Sequence, residues 1–232
     1  MNATARVSLL QLAGTALYLA AFPAALFALA GTTRWVEGWL FAGWFFLLCT
    51  GVLLYLYVRD PALLAERYRR PGSGGQSGWD RAWVYATAAG FVAWIAAMPL
   101  DARRFHASPS FPWGLELAGG ALLLLSAFFL FRAFRDNTFL SPLVRIQEER
   151  KQRVVSSGVY GFVRHPMYLG ATCMFFGAPV LLGSLVGLAL GLALTLFLAA
   201  RILGEERLLV RELEGYAEYR QRVRYRLVPF LW

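Results

Sequence analysis

An all-α integral membrane helix bundle with about six membrane segments is the fold this sequence predicts, and three observations predict it. The 232 residues are 58% hydrophobic and only 16% charged, which excludes a disordered chain and does not suit an ordinary soluble domain. The apolar residues fall into runs long enough to cross a bilayer, which takes about 20 residues at 1.5 Å each. The 23 Lys and Arg residues gather in the stretches between alternate runs instead of spreading along the chain.

The first run covers residues 7–30, with Pro23 inside it. A secretory signal is the other reading of an apolar run behind Arg6. This one exceeds the usual apolar core of about 7–15 residues and further spans follow, so it is retained as a helix. Thr32 to Glu37 is a short polar connection, and residues 38–58 form a second run. Its Trp39, Trp44, Tyr55 and Tyr57 are aromatics of the kind that settle near headgroups. Arg59-Asp60-Pro61 stops that run, and the segment on to Arg81 reads as a connector because its PGSGGQSG has no apolar period. These glycines lack the spacing and the strand-to-helix setting of a phosphate-binding loop.

Residues 82–99 give a third, short span closed by Pro99 and Asp101, and residues 113–131 give a fourth that ends on Phe131-Arg132. The longest polar stretch follows and leads into Ser157 to Gly170, SGVYGFVRHPMYLG. Residues 166–203 are then apolar for too long to be one span, and Pro179 with Gly183-Ser184 predicts a turn between two shorter helices. Gly177, Gly183, Gly187 and Gly191 include small-xxx-small spacings that allow close helix packing. Beyond Gly204 the leucines and aromatics of EERLLVRELEGYAEYRQRVRYRLVPFLW are spaced for one face, which predicts an amphipathic helix at the membrane interface. Two regions result, an N-terminal four-helix membrane region over 1–134 and a region over 135–232 with a loop, a helical hairpin and the tail.

With six segments, the stretches 59–81, 132–165 and 201–232 share a side with the N-terminus, and 20 of the 23 basic residues fall there. The positive-inside rule makes that side cytoplasmic, in a membrane expected to be a bacterial inner membrane. The net charge of +9 is thereby accounted for by orientation and headgroup attraction, so the lipid bilayer is the expected partner and no nucleic acid is. The oligomeric state is left open. No sequence repeat relates the two halves, which argues against a transporter. Cys49 and Cys173 lie inside apolar runs without companions at metal-ligand spacing and read as buried hydrophobes, so no metal is expected.

The densest polar chemistry stands at the start of the hairpin. Arg164 and His165 directly precede Pro166, and proline is compatible with a first helical position. The first free amides of such a helix, with two cationic side chains beside them, suit an anion. Arg201 and Glu205 are four apart near the end of the last span and share a helical face. Each group also has a plainer reading. Arg164 and His165 serve as a positive flank, Tyr160 and Tyr168 as interfacial anchors, Glu205 and Glu206 as first-turn carboxylates of the tail, and Arg222, Arg224 and Arg226 as headgroup contacts.

The run VVSSGVYGFVRHPMYLG, followed about 35 residues later by EERLLVRELEGYAEYRQRV, resembles the isoprenylcysteine carboxyl methyltransferase family and the related membrane phospholipid and thiol methyltransferases. The resemblance covers roughly residues 135–230. It implies an S-adenosyl-L-methionine site lined by Gln147, by Gln152, Arg153, Val154 and Val155, and by Tyr160. His165, Pro166, Met167 and Tyr168 would be its centre, with Glu205 closing it from the last helix. Arg201 matches a family arginine associated with the methyl acceptor, so it is the expected catalytic and substrate-binding residue. Arg164 then becomes an interfacial anchor.

The inventory suits the cofactor: its carboxylate needs a cation or free amides, its ammonium a carboxylate, and its sulfonium an aromatic wall. A carboxylate acceptor, held by Arg201 as a fork, needs no general base. An amine or thiol would need one, and Glu206 or His165 are the nearby groups. Two rivals stand beside a membrane methyltransferase acting on a lipid-like or small apolar acceptor. One is an NADPH-dependent reductase of the sterol-reductase type, whose sequences read HPNY where this one reads HPMY. The other is a non-enzymatic membrane scaffold or small transporter.

Overall fold

In the computed structural model, residues 7–232 are described. Arg6, placed above on the basic side, lies outside the described residues. The regular structure among them is entirely helical. In chain order the helices are α1 (Leu9–Ala30), α2 (Val36–Arg59), α3 (Pro61–Arg67), α4 (Gly78–Pro99), α5 (Trp113–Asp136), α6 (Pro166–Leu182), α7 (Leu185–Glu212) and α8 (Tyr216–Arg222). Five are long and apolar enough to cross a membrane: α1, α2, α4 together with the π-helical turn Leu100–Arg104, α5 and α7. The sixth apolar helix, α6, is shorter at 17 residues.

Local chemistry explains most boundaries. Ser8 and Gln11 form a capping box at the start of α1, and Gly31 ends it in the left-handed conformation. The stop after the second span is also a start. The Asp60 carboxylate accepts from Leu63 N at 2.9 Å and Pro61 takes the first turn, so α3 forms within what the sequence suggested was all connector. The third span begins at Gly78, earlier than residue 82. The turn expected at Gly183-Ser184 is present. Gly183 adopts φ +74°, and the Ser184 hydroxyl caps α7 by accepting from Gly187 N at 2.8 Å.

The core is apolar side chains from α1, α2, α4, α5, α6 and α7, among them Phe22, Phe41, Trp94, Leu123, Phe175 and Ile202. The closest helix pair is α5 with α6, and it depends on Gly119 and Gly177. A Cβ on Gly177 would stand 2.9 Å from Leu122 Cβ and 3.0 Å from the Gly119 carbonyl. The small residue at 177 thus admits α5. Cys49 is half-buried and Cys173 buried, both as free thiols.

The tail differs from the single interfacial helix expected beyond Gly204. Residues 205–212 prolong α7 without a break, and α8 folds back after Gly215, which has φ +80°. Leu213, Tyr216, Tyr219 and Val223 then bury their faces against Ile146, Val154 and Leu209. The loop before the hairpin has no long helix of its own to cover these side chains. The amphipathic face of the tail covers them.

Candidate functional site

The chemistry collects at the end of the bundle where α4 and α6 begin and α2, α5 and α7 finish. A cavity there, of about 100 Å³, is walled by residues 137–145 and 152–155, by Tyr160, by the turn into α6, and by α7 and α8.

The turn into α6 is held from both sides. His165 N and Arg164 N donate to the carbonyls of Arg226 and Tyr225, each at 2.9 Å, so the tail pairs with the motif backbone. Glu206 lies beneath. It accepts from Arg164 Nε at 2.6 Å and from Arg226 Nε at 2.9 Å, and its Oε1 is 3.3 Å from His165 Nε2. Arg164 also donates from Nη1 to the carbonyls of Val223 and Arg224. The expectation of Arg164 as an interfacial anchor is therefore corrected. Its side chain is buried, and a buried guanidinium needs the carboxylate and carbonyls that it meets here. Arg226, expected at headgroups, is drawn in by the same carboxylate. Glu206 is fully engaged by these donors and does not line the cavity.

Tyr168 is the hinge of the polar network. Its hydroxyl donates to Glu205 Oε2 at 2.8 Å and accepts from Arg201 Nη1 at 3.2 Å. The helical spacing of Arg201 and Glu205 thus places both on one tyrosine from α6. His165 and Tyr168 stack with ring centroids 5.6 Å apart, giving an aromatic wall. Arg201 is in turn fixed by Asp80 of α4, whose Oδ1 accepts from Nε at 2.9 Å, while Nη2 donates to the Pro142 carbonyl at 2.8 Å. Asp80 is fully buried, and its Oδ2 accepts from Gln76 Nε2 and Val144 N.

Of the residues singled out from sequence, Gln152, Arg153, Val154, Val155, Tyr160, His165, Met167, Tyr168 and Glu205 line one cavity. Gln147, Pro166 and Arg201 do not. Gln147 is fully buried behind the wall, donating from Nε2 to the Phe139 carbonyl at 2.7 Å and accepting from Arg150 at 2.8 Å. Pro166 opens α6, and Arg201 does not itself line the cavity but donates to the hydroxyl of Tyr168, which does.

Sequence reasoning passed over Asp80, Asn137 and the lining residues Tyr216 and Tyr219. The GYAEY segment that carries both tyrosines was the available signal. The Tyr160 and Tyr216 hydroxyls are buried without a hydrogen-bond partner, although Asn137 stands close to the first. Burial pushes both phenols well above their usual range, so both remain neutral donors. Tyr219 donates to the Tyr160 carbonyl at 2.7 Å and ties α8 to the turn before the motif.

The wall over residues 137–149 is anchored to α3 and to the glycine-rich segment. Arg145 makes two bonds to Glu66, at 3.0 Å each, and further bonds to Glu149 and to the Gly74 carbonyl. Ser141 donates to Glu66 at 2.7 Å. The 71–78 segment is thus part of the site's scaffold.

Residues 115–214 match the phospholipid methyltransferase family. Over 85 residues the chain is 35% identical to a protein-S-isoprenylcysteine O-methyltransferase of Schizosaccharomyces pombe, a match covering 36% of this chain and 36% of that protein's length. Residues 115–214 contain Tyr160, the turn into α6, Arg201, Glu205 and Glu206, and the residues outside them on α3 and α4 fix Arg201 and the loop from behind. Less than half of the chain, residues 115–214, is thus similar to membrane methyltransferases of the phospholipid and isoprenylcysteine types.

Proposed function

We propose that this chain transfers a methyl group from S-adenosyl-L-methionine to a lipid-like or small apolar acceptor at the cytoplasmic surface of a membrane. By resemblance the acceptor group is a carboxylate of the isoprenylcysteine type. The observation that carries this reading is the Tyr168 hydroxyl, which joins Glu205 to Arg201 at the floor of the cavity. The network puts a carboxylate beside the cavity and a guanidinium below it.

The residues fit the cofactor. The unpartnered hydroxyls of Tyr160 and Tyr216 can donate to or accept from ribose and amino-acid groups, Glu205 can receive an ammonium, and the His165–Tyr168 stack offers ring faces to a cation. Bound there, S-adenosyl-L-methionine supplies a methyl group on a positively charged sulfur. Arg201, held by Asp80, would orient the acceptor carboxylate by two N–H bonds and leave an oxygen lone pair in line. That oxygen gains the methyl and the carboxylate loses its charge. No proton is released, so Glu206 can remain locked in its clamp.

The basic residues support the orientation. Nineteen of the 22 described Lys and Arg residues lie at or beyond the site end of the spans, the arrangement that the positive-inside rule associates with cytoplasm. Both termini and the site would then be cytoplasmic. The nucleotide would come from water and the acceptor sideways from lipid.

Calorimetry on the purified chain in detergent tests the reading. Micromolar binding of S-adenosylhomocysteine is expected, lost in His165→Ala and Glu205→Ala. Binding of NADPH without S-adenosylhomocysteine would turn the assignment to a reductase, and binding of neither would turn it to a scaffold. Transfer of labelled methyl to membrane lipid extract, prenylcysteine analogues and small thiols identifies the acceptor.

A further inference from the structure

Away from the cavity end, α4 and α7 are in close contact. A Cβ on Gly90 would stand 2.9 Å from Leu194 Cδ2, and Trp94 Nε1 donates to the Gly187 carbonyl at 3.0 Å. Toward the start of α4 the two helices enclose an open groove of about 600 Å³. Its floor is aromatic. Trp83 stacks on Phe197 with ring centroids 3.7 Å apart, and Trp79 meets Trp83 edge to face at 6.3 Å. Trp79 lies against the α7 backbone because residue 204 is glycine, where a Cβ would stand 2.6 Å from Trp79 Cη2.

The side of α7 that lines this groove changes from apolar to basic along its length. Ala200, Leu203, Arg207 and Arg211 follow one another at three- and four-residue spacing and so share one helical face. Both arginines are exposed. Arg207 has no ion-pair partner among the described residues, and Arg211 has only its neighbour Glu212, an exposed pair of the kind that contributes little. The carboxylates beside Arg207 in sequence are engaged elsewhere: Glu205 accepts from Tyr168, and Glu206 from Arg164 and Arg226. No carboxylate lines the groove among the described residues, so it offers nothing to the cation of a zwitterionic headgroup. An apolar slot that ends under two guanidinium groups is complementary to an acyl chain capped by an anionic phosphate.

We propose that this groove holds an anionic phospholipid, with an acyl chain against Trp79 and Trp83 and its phosphate between Arg207 and Arg211. The inference goes beyond methyl transfer and does not depend on it. Leu208 lines both the groove and the cavity, so the lipid packs against a side chain that also walls the candidate site.

The test titrates the full chain in a neutral detergent with dioleoylphosphatidylglycerol and with dioleoylphosphatidylcholine, read by tryptophan fluorescence. Phosphatidylglycerol is expected to bind at least about tenfold more tightly, and inorganic phosphate at equal concentration is expected not to displace it. Arg207→Gln combined with Arg211→Gln should bring phosphatidylglycerol down to the affinity of phosphatidylcholine. Arg220→Gln combined with Arg222→Gln removes the same charge from exposed positions of α8. Because salt screens charges that do not touch the lipid, this second pair should change the affinity less than about threefold. Ala200→Phe keeps both arginines, fills the apolar end of the groove, and should weaken phosphatidylglycerol by about tenfold through lost chain contact. Equal losses in the two double variants would reduce the effect to diffuse attraction by a basic surface and overturn the inference. Equal affinity for the two lipids overturns it as well, and so does displacement by inorganic phosphate. A dimer in light scattering that Ala200→Phe breaks and phosphatidylglycerol does not would give the groove to a second copy of the chain instead.

Discussion

The Nε of Arg201 donates to Oδ1 of Asp80 at 2.9 Å, joining α7 to α4 across 121 positions of sequence. Asp80 is buried completely, and its other oxygen holds the backbone of Val144 in the cavity wall. One carboxylate therefore sets both the orientation of the Arg201 guanidinium and the position of the loop above it.

Replacing Asp80 separates orientation from cofactor binding. Asp80→Asn should lower kcat/KM for the acceptor by about 100-fold, the scale expected when a positioned group moves by about 1 Å. S-adenosylhomocysteine affinity should stay within about tenfold, or 1.4 kcal/mol. Arg201→Ala should abolish turnover with the same small change in cofactor affinity. Equal losses in both measurements would show that the pair serves folding alone.

Glu206 should be a stability residue. Its removal leaves Arg164 and Arg226 without their carboxylate, and breaking a buried pair from one side costs about 3–5 kcal/mol. For a chain of this size Glu206→Ala should lower the Tm by at least about 6 °C. Thermal unfolding in detergent, followed by tryptophan fluorescence, checks it. A change under 2 °C would mean that the tail is not clamped to the motif through this residue.

The link between α3 and the cavity wall should be pH-dependent at its acid end. Burial pushes the Glu66 carboxyl up, but hydrogen bonds from Arg145 and Ser141 outweigh it and hold the group below its ordinary value of 4.5. The Arg145 hydrogen bond also lowers Glu149. A depressed carboxyl contributes stability that is fully present above the unfolded value and is lost as pH falls through the lower folded value. The Tm difference between wild type and Glu66→Gln should therefore be constant from neutral pH down to about 5 and shrink below about 4.5. A difference that grows on acidification contradicts the assignment.

Two adjacent glycines should respond oppositely to alanine. A Cβ on Gly119 would come within 2.8 Å of the Gly177 carbonyl, whereas one on Gly120 meets nothing within 4 Å. Gly119→Ala should therefore cost about 1–3 kcal/mol through overpacking. Gly120→Ala should be neutral or stabilise by up to about 1 kcal/mol through helix propensity. Paired thermal melts are sufficient.

Much of the architecture is legible locally. The spans announce themselves as apolar runs, Gly183-Ser184 as a turn and Pro166 as a helix start, because each follows from neighbouring residues. The Asp60-Pro61 pair is equally legible as a stop, and in the structure it also caps α3. Residues 152–155, Tyr160, the HPMY turn and Glu205 are carried by family resemblance, and the structure brings nine of those ten residues to one cavity. Gln147 is turned away from it by bonds to Phe139 and Arg150, two partners that give no sequence signal.

The sequence by itself determined an all-α membrane bundle, the side on which its charge gathers, and the motif by which its C-terminal region resembles membrane methyltransferases. Only the tertiary structure decided what those charges do. It buried Arg164 against Glu206 and set Asp80 behind Arg201. An arginine or aspartate near the end of a span looks the same in sequence whether it meets headgroups or another buried charge. The difference is made by partners dozens of residues away, which only the packing of α4, α6, α7 and the tail brings within hydrogen-bonding reach.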